Sequence, residues 1–168
     1  MLGLLTSTAV GQTASKVPEL HAEFLMQVRA ELEDPLTLPD APLGTRLILY
    51  AKGGSFSGPG LQGEVLPGGG DWVLDRRDGV AQLDIRFTLR SGDGQLIYMS
   101  CDGILDMPPQ IRQRIRKGED VDPSEYYFRT SPVFQTGSEK YSRLNRLVAV
   151  GVGRRTATGM VTDIFEIK

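Results

Sequence analysis

In the run "AQLDIRFTLR", residues 81 to 90, Asp84 and Arg86 stand two apart, a spacing that sets an acid and a guanidinium side by side on one face of a strand. Held in a dry cavity, such a pair can exchange a proton with a bound molecule and stabilise the oxyanion that develops on it. Asp71, directly after "LPGGG", and Arg129, in "EYYFRTSPVF", carry the same chemistry. Asp71 and Asp84 are therefore the candidate acid or base, and Arg86 and Arg129 the candidate electrostatic clamps. Trp72, Tyr98, Tyr127 and Asn145 are candidate ligand-binding groups, each offering a ring face or a hydrogen bond. Replacing Arg86 by Leu or Asp84 by Asn is expected to abolish turnover and leave the fold intact; unchanged activity in both variants would remove these roles.

The rest of the composition narrows the chemistry. His21 is the only histidine and Cys101 the only cysteine. That count excludes a Cys/His metal cluster, a Ser-His-Asp triad in the core and an internal disulfide. No metal and no cofactor are expected. Cys101, beside Asp102, has no neighbouring His or Lys in the sequence to lower its pKa and reads as a small structural residue. With 19 Lys+Arg against 21 Asp+Glu, the net charge of -2 gives the whole molecule no pull toward nucleic acid or an anionic membrane. The basic run "RQRIRKG" is followed by Glu119, Asp120, Asp122 and Glu125 and carries no interleaved aromatics, so it reads as a solvated helix face.

Short alternating runs bounded by Gly, Pro and Asp must position these residues, a pattern of many strands at regular spacing. Phe24, Met26, Val28, Ala30 and Leu32 form one apolar face; "RLILYAKGGSFSG" and "LQGEVL" follow as extended segments. "DWVLDRR", Asp78-Gly79 and "VAQLDIRFTLR" read as a hairpin, since Asp-Gly suits the positive φ of a primed turn. "QLIYMSCDG", "EYYFRTSPVF", "YSRLNRLVAVGVG" and "GMVTDIFEIK" supply further strands. Between them "MPPQIRQRIRKGED" predicts one short helix, with prolines at its start, Ile111 and Ile115 on one face and Gly118 at its stop. About eight to ten strands without alternating helices predict an all-β fold, a sandwich or an up-and-down barrel.

The 168 residues, 40% of them hydrophobic, fit one domain: residues 1–21 as a lead expected to be mobile, residues 22–168 as the folded unit. No stretch reaches the roughly 18 apolar residues of a membrane span. The apolar opening lacks a basic n-region, so a cytoplasmic protein is expected, with export as the alternative if that opening is a remnant signal peptide.

Two glycine patterns invite a nucleotide reading. "GPGLQG", residues 58 to 63, matches Gly-x-Gly-x-x-Gly but is followed by strand and turn, where the motif requires a helix. "LPGGGDW", residues 66 to 72, has no Lys-Ser or Lys-Thr after it and reads as a tight corner that aims Asp71 and Trp72. The run at 81–90 allows two orientations: Ala81, Leu83, Ile85, Phe87 and Leu89 inward with the polar face in solvent, or the polar face inward as a buried network. Its residues favour the first.

"GEVLPGGGDW", "DGVAQLDIRFTLRSGDGQLIY", "PSEYYFRTSPVFQTG" and "YSRLNRLVAVGVG", in that order, resemble the domain-of-unknown-function family 3237, uncharacterised protein family 0311. The resemblance covers about residues 22–168. It implies a closed antiparallel β-barrel of eight or more strands whose mouth can hold a small molecule. The Asp-x-Arg and Tyr-Phe-Arg-Thr segments that recur in such proteins correspond here to Asp84 with Arg86 and to Tyr127 through Thr130, which shifts weight toward an inward polar face. Three functions follow as expectations: a cofactor-independent isomerase, cyclase or lyase acting on a small apolar or oxygenated compound; a carrier or sensor of such a compound; or a structural module. In the last, the apolar strand face is buried against a second subunit, as in a homodimer.

Overall fold

The computed structural model describes residues 17–168, so the lead's residues 1–16 lie outside it, and residues 17–21 have no helix or strand. Ten strands follow: β1 (Ala22–Leu32), β2 (Leu36–Ala41), β3 (Gly44–Gly58), β4 (Leu61–Val65), β5 (Gly70–Arg76), β6 (Val80–Ser91), β7 (Leu96–Asp106), β8 (Tyr127–Gln135), β9 (Ala149–Arg155) and β10 (Gly159–Ile167). One helix, α1 (Pro109–Arg116), joins β7 to β8.

All pairings are antiparallel, and the sheet curls until β1, bonded to β10 on one side, meets β3 on the other. The result is a closed eight-stranded barrel. Nine of the ten strands fill these eight positions, because β4 and β5 share one slot between β3 and β6: β4 pairs the end of β3 at Gly54–Gly58, β5 its start at Gly44–Tyr50. β2 lies beside the first half of β3 as a flanking strand. The "LPGGG" corner makes the step from β4 to β5. Gly68 has φ +96°, and a Cβ on Gly69 or Gly70 would stand 2.2 Å from the Arg86 carbonyl oxygen or 2.5 Å from that of Leu49. The glycines are a corner that lets three backbones close up.

Alternation decides what fills the barrel. Along β6, Ala81, Leu83, Ile85, Phe87 and Leu89 are buried, while Gln82, Arg86 and Arg90 are exposed and Asp84 and Thr88 half-buried. The apolar face is the barrel core. Two expectations are corrected by this: the polar face of β6 does not line the interior, and the apolar face is not available to a second subunit. An inward polar face would have left a ladder of charges in a closed interior, a far larger cost than the few ion pairs present could offset.

Two local readings also change. "YSRLNR" is not strand: Ser142–Arg146 form a 3-10 turn that buries Leu144, and β9 starts only at Ala149. In β1 the register shifts between Phe24 and Met26, so Phe24 leaves the apolar face and turns to solvent against Phe165.

At one end the inward side chains of Met26, Phe56, Phe87, Leu89, Ile97 and Phe134 pack solidly. Over the other end lies α1. Ile111 and Ile115, four apart on one helical face, are buried, Pro109 starts the helix, and Gly118 at φ +82° follows its end. Between α1 and the barrel wall a cavity remains.

Candidate functional site

The cavity has a volume of about 350 Å³. Its walls are apolar, with Leu49, Val73, Leu83, Leu105 and Phe128 from five different strands, and Ile115 of α1 closing it from above. Room for it comes from β9, whose inward positions read Ala149, Gly151, Gly153 and Arg155. A Cβ on Gly153 would sit 2.6 Å from the Phe128 ring, so this ring lies flat on bare backbone where a larger residue would have pushed it across the cavity.

Two charged groups reach into this apolar space. Asp71, the first residue of β5 after the glycine corner, is buried to 2% exposure. The β5–β6 ladder runs through Gly70↔Arg86 and Asp71↔Ile85 and resumes at Leu74↔Gln82; in the gap, the Asp84 N–H donates to Asp71 Oδ1 at 3.2 Å. Burial pushes the Asp71 carboxyl up to about 7, and the Asp84 N–H and the Arg155 guanidinium oppose that rise only in part. A carboxyl raised this far toward neutral pH is suited to give up and take back a proton.

Arg155 is the second. It ends β9, and its backbone N–H donates to the hydroxyl of buried Tyr126 at 2.9 Å, which fixes where the side chain leaves the strand. Desolvation pulls its pKa down, and the charge of Asp71 pulls it back up. A second acid–base pair, Arg112 Nη1 to Asp75 Oδ2 at 3.2 Å, latches α1 to the barrel rim, with Arg112 also reaching the Met107 carbonyl. The interior near Asp71 also holds the Cys101 thiol, which burial pushes up to about 12, with the Thr130 hydroxyl beside it, and the barrel buries the Thr162 hydroxyl without a protein hydrogen-bond partner.

Of the eight residues singled out from the sequence, Asp71 alone faces the cavity. Asp84 and Arg86 form a two-pronged ion pair on the outer face, Nε to Oδ1 and Nη2 to Oδ2 both at 3.0 Å. Arg86 also lies 5.7 Å from the centre of the Trp72 ring, which packs edge-on to Tyr50. Tyr127 and Arg129 stack on each other outside β8, and Tyr98 is exposed on β7. Asn145 holds the turn after β8, accepting from Thr136 N–H and donating to its carbonyl. Arg155 and Thr162 went unnoticed in the sequence, and Thr130 stood there only as the end of the recurring Tyr-Phe-Arg-Thr segment. Counting by twos from Ala149 puts Arg155 on the face of Gly151 and Gly153, and small inward residues are the signal of space inside a barrel.

Among the described residues no three His, Cys, Asp or Glu side chains gather in a metal-holding arrangement, and no helix is long and apolar enough to cross a membrane.

The family model for "Protein of unknown function (DUF3237)" matches residues 20–167. A UPF0311 protein of Rhodopseudomonas palustris is 31% identical over 150 residues, 89% of this chain and 98% of that one. Its crystal structure superimposes with a TM-score of 0.85 at 30% identity, covering 90% of this chain and all of the other. A β-barrel-like protein from Acinetobacter baumannii gives a TM-score of 0.78 at 33% identity, over 92% of this chain and 100% of that one. An enzyme from Penicillium herquei shares the fold at a TM-score of 0.69 and 18% identity, over 92% of this chain and 99% of the other.

Proposed function

This chain belongs to the DUF3237 family of β-barrel proteins, and from that premise we propose that it binds a small, largely apolar molecule under α1 and moves a proton on it without a cofactor. Isomerisation, cyclisation and elimination next to a carbonyl all need one such transfer. The observation that carries this is Asp71: a carboxyl group at 2% exposure on the wall of an apolar cavity, held at about 7 by burial. The acid–base role therefore falls to Asp71. The clamp role passes from Arg86 and Arg129, which lie outside, to Arg155, whose guanidinium can stabilise an enolate oxygen beside Asp71. The Penicillium herquei enzyme supports catalysis only at the level of fold.

Hydrogen–deuterium exchange tests the reading. Cyclic ketones small enough for the cavity are incubated with the protein in D2O and followed by proton NMR. Deuterium uptake at the carbon next to the carbonyl, lost in Asp71→Asn, is expected. Ketone binding without exchange would instead identify a carrier, a reading favoured by the walls, which are apolar except for Asp71, Arg155 and the charged rim.

A further inference from the structure

Arg155 is placed unlike the other arginines of the barrel mouth. Arg112 is bound to Asp75 and the Met107 carbonyl, and Arg116 is exposed at the rim, as is Asp34. Arg155 is half-buried on the cavity wall, and among the described residues no ion pair and no side-chain hydrogen bond engages its guanidinium; only its backbone N–H is used. A guanidinium in an apolar cavity without an acceptor is costly, and its rigid fork of donors fits a carboxylate. Asp71 balances its charge from a distance but makes no bond to it.

We propose that the cavity takes a small monoanion with an apolar body, an ionised carboxylic acid, whose head group binds the Arg155 guanidinium while Asp71 takes up one proton. This rests on the pocket of the functional reading above and narrows its roles: Arg155 holds the head group, and Asp71, protonated in the complex, is the acid. The coupling follows from charge. With Asp71 ionised, the cavity inside the charged rim carries one carboxylate and one guanidinium; a ligand carboxylate would make two anions against one cation in a low-dielectric space, and protonating Asp71 restores neutrality. The remaining groups facing Asp71 are the Asp84 N–H and carboxylate and the buried Cys101 thiol; Tyr126 faces Arg155. Both Cys101 and Tyr126 have pKa values raised by burial, so neither supplies a negative charge at neutral pH. The raised pKa of Asp71 agrees with ready proton uptake.

The test is calorimetric titration of the full chain with 4-phenylbutyrate and its neutral analogue 4-phenylbutyramide, in buffers of different ionisation enthalpy. The carboxylate is expected to bind at least tenfold more tightly than the amide at pH 6. At pH 8 it should take up close to one proton, and its affinity should fall about tenfold per pH unit above about pH 7. Arg155→Gln should abolish the preference for the carboxylate while still binding the amide, and Arg155→Lys should retain part of it. Asp71→Asn should keep carboxylate binding and lose proton uptake. Equal affinities for the two probes, or an undiminished preference in Arg155→Gln, would overturn the anion site while leaving the pocket standing. Carboxylate binding without proton uptake at pH 8 would overturn the coupling. Binding of neither probe would overturn the pocket and both readings with it.

Discussion

Asp71 and Asp84 lie on neighbouring strands and are joined by a hydrogen bond from the backbone of one to the carboxylate of the other, yet they inhabit opposite worlds. Asp84 sits outside with an Arg86 partner in water, the side chains 41% and 54% exposed. Asp71 sits inside at 2% exposure, with a guanidinium near it that makes no bond to it. The outer pair has the better geometry and the smaller consequence, because water screens it and hydrates each partner when the other is absent. The inner pair has the looser geometry and the larger consequence, because Asp71 is shut off from water with a single backbone N–H as its other partner. Chemical type named both aspartates as candidates; environment separates them.

The same contrast holds for aromatic neighbours in β8, and it yields the largest expected effect. Phe128 is 1% exposed under the cavity and Tyr127 is 51% exposed outside. Phe128→Ala should cost about 3–5 kcal/mol in chemical denaturation, against below about 1 kcal/mol for Tyr127→Ala. Similar losses for the two would break the inside–outside distinction.

Next comes the pH dependence of stability. The folded pKa of Asp71 lies above its unfolded value of 3.8, so the folded state holds the proton longer and loses stability as pH rises from about 4 through about 7. The shift corresponds to on the order of 4 kcal/mol at pH 8. Asp71→Asn, whose amide oxygen can still accept the Asp84 N–H, should remove that decline and be the more stable protein at pH 8. A parallel pH profile in the variant would show that Asp71 titrates normally. Smaller again is the rim latch: Arg112→Ala should cost about 1–2 kcal/mol, because the half-buried Asp75 is left unpaired. Smallest is the exposed pair. Arg86→Leu should change stability by at most about 0.5 kcal/mol and leave probe binding unchanged; a large loss of binding would move the site to the outer face.

Period-two alternation made most strands legible, and the corner at "LPGGG", the Asp78-Gly79 turn with Gly79 at φ +86° and the Pro-to-Gly bounds of α1 were all readable from local chemistry. Asp71 was reachable because a corner aims the residue that follows it. The facing of β6 was harder, since alternation gives two faces and not which one is inside, and the recurrence of Asp84 and Arg86 in similar proteins drew attention to the outer one. Arg155 was hidden for a different reason: in "GVGRRTATG" two arginines stand side by side among small residues, so no apolar partner marks the inward face. Ser142–Arg146 misled because "YSRLNRLVAVGVG" runs without a break into β9, although Tyr141, Leu144 and Leu147 stand three apart, the period of the tight helical turn that packs them inward.

The barrel closes where β1 meets β10, Ala22 opposite Ile167 and Glu31 opposite Gly159. A chain emerging from the ribosome makes β1 early and β10 late, so β1 must wait on one edge without its partner while everything between is synthesised. Contacts so distant in sequence form slowly. Until residues 159–167 arrive, β1 lacks its β10 partner, and an unpaired strand edge can recruit other strands.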